Sequence, residues 1–463
     1  MRALVVLGCI GLALAGALTH FTSAAFTNAT AAPANTVAVD KLANYFSVVA
    51  GSAVQAGTST AVASGDVDSL ALAFGTVPSA RTFTSVFRIT NVSGSSQTAT
   101  LALTGAPQIS SAVFASSGST TATLAAGAST TLSVTTSSTI AGHGAGTLKL
   151  ALSGIGWLYR TYPVTLDEAP EVPGAPTATQ APNGRLNLNW GVSSTTTNLA
   201  GYNLYRSSGA GFTKLNATPL AVTTYADTAT VDGTTYTYKV RAVSSGAPTL
   251  ESVDSATATA RADATPPGQP SGISLANGGG AGNAYVNSAN AGSLSVNVNL
   301  PAGSLATDLV TLTLANGASS VTRTASATAG AGTVTFSSIN VAGLGDGTVT
   351  ISATSTDAAG NVSSAAASGF AKDTVAPGAP SASYVDNGNT TADVITGTAE
   401  ANASIAIQGG FGGSANGSGS FSINVTAIHG SNGHPQAYSY WVTATDAAGN
   451  TSAAATVAGS DTK

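Results

Sequence analysis

The sequence predicts an all-β protein, a tandem array of about four β-sandwiches that follows a targeting segment. Only 8% of the 463 residues are charged, and Thr- and Val-rich runs alternate polar and apolar residues, which is typical of half-buried strands. A tetrapeptide of the form Pro-Gly-x-Pro recurs at Pro173, Pro267 and Pro377. A turn sequence ending in Asp-Ala-Ala-Gly-Asn recurs at 355–361 and 444–450. Recurrence at roughly the length of one small domain indicates repeated domains.

The first 25 residues are predicted to be a signal peptide. Arg2 precedes an apolar run over 3–18, and small residues follow at 23–25, in the order of a charged region, an apolar region and a cleavage site. An uncleaved anchor helix remains open as an alternative, although the run is short for a span of about 20 residues. Cys9 is the only cysteine, so the mature chain is predicted to lack thiols and disulfides. We therefore predict a secreted, extracellular, cell-surface-associated protein without stable membrane insertion after cleavage.

The proline tetrapeptides predict where one domain ends and the next begins. Proline fixes φ and cannot donate a ladder hydrogen bond, so it suits the start of an edge strand after a linker. The spacing between the three copies matches one immunoglobulin-like sandwich of about 100 residues. The predicted divisions are a signal peptide at 1–25, an N-terminal sandwich at 26–170, and further sandwiches at 171–263, 264–374 and 375–463.

The N-terminal sandwich carries two short signatures. Residues 24–27, Ala-Ala-Phe-Thr, stand at the signal boundary, and the strand-like run 83–94 has Asn91 near its end. Both resemble camelysin/TasA-like secreted matrix proteins, and the resemblance implies a β-sandwich over 26–170. The stretch 26–39 has few turn residues, so we predict that it adds as a strand to a neighbour's sheet edge and supports self-association.

The second predicted sandwich, 171–263, shows alternating apolar residues in three successive runs at 186–190, 201–206 and 236–243. In this order the runs resemble a fibronectin type III domain. The resemblance implies that Trp190 fills the core and that Tyr236 ties its sheet to an upstream backbone group. Alternation places Tyr236, Tyr238, Val240 and Ala242 on one inward face.

The last two predicted sandwiches share a late alternating strand, the Asp-Ala-Ala-Gly-Asn turn and a final strand rich in Ser and Ala. Segments 264–374 and 375–463 thereby resemble the bacterial Ig-like domains that occur in tandem in surface adhesins. The resemblance implies that this turn joins the last two strands of each sandwich. Asp and Gly-Asn supply residues that tolerate the left-handed conformation of a tight turn.

The histidines give no catalytic pattern. His143 lies among glycines at 141–146, but neither a helix nor a Lys-Ser/Thr pair follows, so a turn is predicted in place of a phosphate loop. His429 and His434 are separated by five positions in a Gly/Asn/Pro segment, and a solvated loop is predicted in place of a metal site.

The carboxylates give no paired acid and base either. Asp167, Glu168 and Glu171 are assigned to a linker, where solvation accounts for their charge. The chain is therefore predicted to be a non-enzyme that requires no cofactor.

Calcium (Ca2+) is the one ligand for which the sequence offers candidates. In an Ig-type sandwich the chain enters at the end that carries the last hairpin turn, so we expect that turn to face the incoming linker. Oxygen ligands converging from a loop and a linker suit Ca2+, which would stiffen the joint. The alternative, that the side chains only satisfy turn backbone, remains open. The candidate ligands are Asp263, Asp357, Asn361, Asp373, Asp446 and Asn450.

The low and slightly acidic charge indicates which partners to expect. Nucleic acid and anionic membrane surfaces need clustered Lys and Arg, and the 15 basic residues do not cluster. We predict an extracellular spacer or adhesin whose partner is a polysaccharide or a surface protein. The alternative is a carbohydrate-binding accessory protein of a secreted polysaccharide-degrading system. The aromatic clusters at 157–159 and 438–441 are expected to fill cores. Alternation puts Trp441 on the face opposite Tyr440, so exposure of one of these two residues stays open.

Overall fold

The computed structural model describes residues 42–50, 62–64, 71–155, 158–388, 392–426 and 436–461. The predicted signal peptide, the stretch 26–39, Trp157 and the histidines at 429 and 434 lie outside these ranges. Within them the regular structure is strand, with two 3₁₀ turns at Leu42–Asn44 and Ala281–Asn283 and no α-helix. Eight sheets surround four hydrophobic cores in this part of the chain, and the predicted tandem array of β-sandwiches is confirmed. None of the helices found here could cross a bilayer.

The chain divides into two compact units. The first comprises Met1–Thr179, Leu186–Thr230 and Thr234–Ala262, and the second comprises Gln180–Arg185, Val231–Gly233 and Asp263–Lys463.

The first sandwich packs a sheet of order β1-β5-β9-β4, with β7 also paired to β9, against a sheet of order β2-β3-β11-β10-β6-β8. Phe74 and Phe83 meet edge to face at 4.7 Å in its core, and both are fully buried. Its strands are β1 Phe46–Ala50, β2 Val62–Ser64, β3 Ala71–Val77, β4 Thr82–Phe83, β5 Phe87–Asn91, β6 Gln97–Gly105, β7 Ile109–Phe114, β8 Thr121–Leu124, β9 Ser129–Thr136, β10 Gly142–Leu152 and β11 Tyr159–Glu168.

The turn predicted around His143 is wrong, because these residues begin strand β10. The glycines serve close packing inside the sheet. A Cβ on Gly144 would lie 2.3 Å from Gln108 Oε1, and one on Gly146 would lie 2.4 Å from the Thr104 carbonyl oxygen. A glycine-rich strand and a glycine-rich turn have the same composition, so the sequence pattern could not distinguish the strand from the predicted turn.

The linker assigned to Asp167 and Glu168 is also wrong, because both residues lie in β11. Strand alternation turns them to opposite faces. Asp167 is partly exposed and pairs with His143, whereas Glu168 is only 1% exposed in the core of the first sandwich. Water therefore does not solvate the Glu168 carboxyl, as the predicted linker position would have required.

The second sandwich packs β12-β13-β16 against β15-β14-β17-β18. The predicted inward face of β17 is confirmed: Tyr238, Val240 and Ala242 are fully buried and Tyr236 is 4% exposed. Trp190 fills the core and meets Tyr202 edge to face at 6.0 Å. The strands are β12 Thr177–Gln180, β13 Leu186–Asn189, β14 Leu199–Ser207, β15 Thr213–Lys214, β16 Thr224–Asp227, β17 Thr235–Ser244 and β18 Ala258–Arg261.

The third sandwich packs β19-β21-β24 against β20-β26-β25-β22-β23. Apolar residues alternate inward along its long central strands, as at Val310, Leu312 and Leu314, which are all fully buried. Its strands are β19 Gly272–Leu275, β20 Tyr285–Val286, β21 Leu294–Leu300, β22 Leu309–Asn316, β23 Ser319–Ser326, β24 Gly332–Ile339, β25 Gly347–Thr356 and β26 Ala366–Lys372.

The fourth sandwich packs β27-β28-β31 against β30-β29-β32-β33. Ile405, Phe421, Ile423 and Val442 belong to its core. Its strands are β27 Ser381–Val385, β28 Asp393–Thr398, β29 Ser404–Ile407, β30 Phe411–Ser414, β31 Ser420–Val425, β32 Gln436–Thr445 and β33 Ala455–Asp461.

Exposed threonines pair across neighbouring strands of the first and third sandwiches. The hydroxyl oxygens lie 2.7–3.3 Å apart in four such pairs, so each supplies a neutral cross-strand contact of the kind that stabilises a sheet. The pairs are Thr82 with Thr135, Thr98 with Thr123, Thr104 with Thr147, and Thr313 with Thr322.

Candidate functional site

The two repeated Asp-Ala-Ala-Gly-Asn turns join the last two strands of the third and fourth sandwiches, as predicted. In the second copy Asp446 Oδ1 accepts a hydrogen bond from Asn450 N at 2.8 Å. Gly449 takes the left-handed conformation with φ of 92°, and Gly360 does so in the first copy with φ of 89°. Glycine thus supplies the left-handed conformation that the turn requires, so the asparagine side chain can form hydrogen bonds to groups outside the turn.

The side chain of Asn450 is buried, with 2% of the residue exposed, and it forms hydrogen bonds to groups outside the turn. Its Nδ2 donates to the backbone oxygen of Asp373 at 2.8 Å and to Asp446 Oδ2 at 2.8 Å. Its Oδ1 accepts from the backbone N–H of Ser288 at 2.9 Å. One side chain therefore fastens the fourth sandwich to the incoming linker and to a loop of the third sandwich. We call this arrangement the Asn450 clamp.

The first copy repeats this arrangement among residues of the second unit. Asn361, 3% exposed, donates through Nδ2 to the backbone oxygen of Asp263 at 3.0 Å and to Asp357 Oδ2 at 2.9 Å. Its Oδ1 accepts from the backbone N–H of Asn183 at 2.8 Å. We call this the Asn361 clamp. The same contacts occur at two places 89 positions apart, so they are a property of the repeated sequence.

The linkers are also held by aspartates that the sequence analysis missed. Asp346 accepts from the backbone N–H of Thr374 at 3.1 Å and from the buried Lys372 ammonium at 2.6 Å. The Lys372 hydrogen bond lowers the pKa of the Asp346 carboxyl. Asp232 likewise accepts from Ala264 N at 2.7 Å. The sequence contains a pattern that could have identified both aspartates, because each is the first residue of an Asp-Gly-Thr tripeptide.

The structure brings the six predicted calcium candidates together as two groups of three, one in each clamp. The linker aspartates take part through their backbone oxygens, because the Asp263 and Asp373 carboxylates accept from Thr265 N and Val375 N within their own linker. Across the described ranges, His, Cys, Asp and Glu do not form any group of three or more that could hold a metal. Calcium binding at these positions stays a prediction.

The tip of the second turn fits closely against the third sandwich. Asn287 Nδ2 donates to the Ala448 carbonyl oxygen at 2.9 Å. A Cβ on Gly280 would lie 2.3 Å from the Ala447 carbonyl oxygen, and one on Gly279 would lie 2.5 Å from that of Ala448. The fit depends on the absence of side chains at these two glycines.

Asp167 and Glu168 are the two carboxylates of strand β11 in the first sandwich. Asp167 Oδ1 lies 2.8 Å from His143 Nδ1 at a largely exposed position, where an ion pair contributes little free energy. Burial raises the pKa of the Glu168 carboxyl from 4.5 to about 8, and the Thr136 hydroxyl offsets only part of this rise. Strand alternation directs these two groups to opposite faces of the sheet, so they do not converge on one substrate position.

The aromatic cluster at 438–441 does not fill a core as a whole. Tyr440 packs on the fourth core, and its ring stacks on that of Tyr384 at 6.4 Å. Trp441 is 60% exposed, because alternation turns it to the outer face of β32. The prediction of core filling is therefore wrong for Trp441.

Comparison with known proteins gives partial matches. Residues 376–461 match the family described as Bacterial Ig domain. An amylopullulanase from Thermoanaerobacterium saccharolyticum is 33% identical over 84 residues, which is 18% of this chain and 6% of the relative's length.

Solved structures match larger parts of the chain at low overall similarity. The FN1–FN3 domains of chicken CNTN1 align with 64% of this chain and all of theirs, at 11% identity and a TM-score of 0.27. A tetra-tandem repeat from the extending region of a large adhesion protein aligns with 82% of this chain and 95% of its own, at 18% identity and a TM-score of 0.21.

These matches cover parts of the chain only. The family match is confined to the segment that forms the fourth sandwich and carries the Asn450 clamp. Residues 376–461 are thus similar to a bacterial Ig domain.

Proposed function

We propose that the protein is a non-enzymatic extracellular spacer and adhesin, in which tandem sandwiches hold a binding surface at a distance from the cell. The observation that carries the proposal is the Asn450 clamp, in which the hydrogen bonds of one buried side chain fix the joint between two successive sandwiches. A joint held by several hydrogen bonds to a buried side chain resists bending more than a solvated linker does. The similarity of the fourth sandwich to a bacterial Ig domain supports the same role.

The first unit adds support through a joint of its own. The backbone N–H groups of Thr196 and Thr197 both donate to the Thr139 carbonyl oxygen at 3.0 Å. Asn198 Nδ2 donates to the Ala141 carbonyl oxygen at 2.9 Å. These contacts join a loop of the second sandwich to a loop of the first, so the loops at that joint are also fixed by hydrogen bonds.

Deleting the gene in the producing bacterium tests the proposal. We expect the strain to lose adhesion to surfaces or to neighbouring cells, and we expect labelled antibody to find the wild-type chain outside the cell. Complementation with a chain carrying His143→Ala and Asp167→Asn is expected to restore adhesion fully, because a spacer does not need that pair. Unchanged adhesion in the deletion strain, or an intracellular chain, would contradict the proposal.

Carbohydrate binding is the second candidate, and exposed Trp441 favours it. Ser439 and Thr443 flank the indole on the same face of β32, and Thr456 lies directly across on β33. A flat aromatic ring among small hydroxyl side chains offers a stacking surface for a sugar ring together with hydrogen-bonding groups. The stretch shared with an amylopullulanase is compatible with this alternative.

Trp441→Ala tests this second candidate. If the outer face of β32 binds polysaccharide, the variant is expected to lose binding to insoluble polysaccharides by about tenfold, because a stacking contact worth about 1.4 kcal/mol corresponds to a tenfold change in affinity. The measurement is the bound fraction in a pull-down with a panel of neutral and acidic polysaccharides. Tyr438→Ala is the matched control, since Tyr438 is also exposed but lies on the opposite face. Equal retention of both variants would exclude this surface as the binding site.

A further inference from the structure

The Asn450 clamp has a feature that bears on the choice between a metal-bridged and a metal-free joint. The side-chain amide of asparagine has a donor end and an acceptor end, and its orientation is assigned from its hydrogen-bond partners. Here the hydrogen-bond partners determine the orientation of the Asn450 amide. The Ser288 N–H can only donate, so Oδ1 faces it, and the Asp373 carbonyl oxygen can only accept, so Nδ2 faces that oxygen.

The amide nitrogen consequently lies between two oxygens that would otherwise attract a cation. Asn450 Nδ2 is 2.8 Å from the Asp373 carbonyl oxygen and 2.8 Å from Asp446 Oδ2. Ca2+ binds oxygen ligands, about six to eight of them, and does not bind an amide N–H₂. Turning the amide over to present its oxygen would set the N–H₂ group against the Ser288 N–H, so two donors would face each other and the Ser288 N–H would lose its acceptor.

We propose that the carboxamide of Asn450 takes the place of a calcium ion, so that the joint between the third and fourth sandwiches is fixed without metal. The Asn450 N–H₂ group supplies the positive partial charges that the Asp446 carboxylate and the Asp373 carbonyl oxygen require. This inference goes beyond the proposed function and does not depend on it, because it concerns how the joint is held and not what the protein adheres to.

The Asn361 clamp supports the inference independently. Its amide is fixed in the same orientation, with Oδ1 on the Asn183 N–H and Nδ2 on the Asp263 carbonyl oxygen. That carbonyl oxygen also accepts from Gly184 N at 3.0 Å, so its second lone pair is occupied by another donor. Asp357 repeats the role of Asp446 through both of its carboxylate oxygens.

The test measures amide hydrogen exchange in the intact chain, in peptides covering 287–290, 373–376 and 446–450, with excess CaCl₂ and with EDTA. Wild-type exchange is expected to be the same in both conditions. Asn450→Ala is expected to exchange about tenfold faster in both, because it leaves the Ser288 N–H without the acceptor that the buried Asn450 side chain supplies. Calcium-dependent protection of the wild-type joint would overturn the inference, and so would unchanged exchange in Asn450→Ala.

Asn450→Asp gives a sharper readout than loss of the clamp alone. The substitution puts a carboxylate oxygen where Nδ2 stood, facing two other oxygens, so we expect faster exchange in EDTA and recovery of protection with CaCl₂. Asn416→Asp is the matched control, because Asn416 is an exposed turn asparagine of the same sandwich. Its joint peptides should exchange as in the wild type. Slow exchange of Asn450→Asp in EDTA would contradict the clamp, and a native circular dichroism spectrum will verify that each variant is folded.

Discussion

Replacing Asp227 with alanine is expected to lower the free energy of unfolding of the second sandwich by about 3–5 kcal/mol. Asp227 is 2% exposed, and both of its carboxylate oxygens contact Arg206 Nη1, at 3.0 and 2.9 Å. The buried hydroxyl of Tyr238 donates to the same carboxylate at 2.8 Å. Removing the carboxylate leaves a guanidinium and a buried phenol without their shared acceptor, which costs more than the intact pair contributes.

Hydrogen exchange of β17 in the intact chain measures this loss without isolating the sandwich. Asp254→Ala is the matched control, because Asp254 pairs with Lys239 and Arg241 at an exposed position of the same sandwich. Its removal is expected to cost less than about 1 kcal/mol. Equal losses from the two variants would show that burial does not set the difference.

The second large effect is expected at Glu168, whose ionisation opposes folding of the first sandwich. The carboxyl ionises near pH 4.5 when exposed and near pH 8 in the fold. Between these values the folded chain holds one proton more than the unfolded chain, so stability falls as pH rises through this window. The slope is about 1.4 kcal/mol per pH unit, and the total loss is on the order of 5 kcal/mol. Above pH 8 both states are ionised and the loss is complete.

Glu168→Gln is expected to remove this slope and to stabilise the first sandwich most strongly above pH 8. Glutamine has nearly the same shape as the protonated acid, but its amide does not ionise. The measurement is the free energy of opening of β11, from exchange rates corrected for their intrinsic pH dependence. Glu400→Gln controls for the change in net charge at an exposed position. A slope that survives in Glu168→Gln would assign the pH dependence to other groups.

Much of the fold followed from sequence because alternation and repetition are local signals. The inward face of β17, from Tyr236 to Ala242, needed only the two-residue period of a strand. The juxtaposition of Asn450 with Asp373 needed only the place of the last turn in an Ig-type sandwich. The predicted domain divisions and the camelysin/TasA-like resemblance of the N-terminal region remain predictions.

What the sequence could not supply was the environment of single polar groups. Glu168 is buried because its neighbours in space, including Thr136, come from another part of the chain. His143 lies in a strand because Gly144 and Gly146 allow close contact with Gln108 and Thr104, which no local pattern reveals. The chemistry of the clamps depends on which end of an amide faces which backbone group, and that is set only after the loops meet.

The paired threonines on the exposed faces have a consequence for the conditions in which this protein can work. The attraction between exposed charges decays over a screening length of about 10 Å at 0.1 M salt, and this length shortens as salt is added. A hydroxyl–hydroxyl contact carries no net charge to screen. A surface stabilised by contacts such as that between Thr104 and Thr147 therefore keeps its cross-strand energies from dilute fresh water to brine. We expect these sheet faces to tolerate changes in ionic strength that would weaken an exterior held by lysine–glutamate pairs.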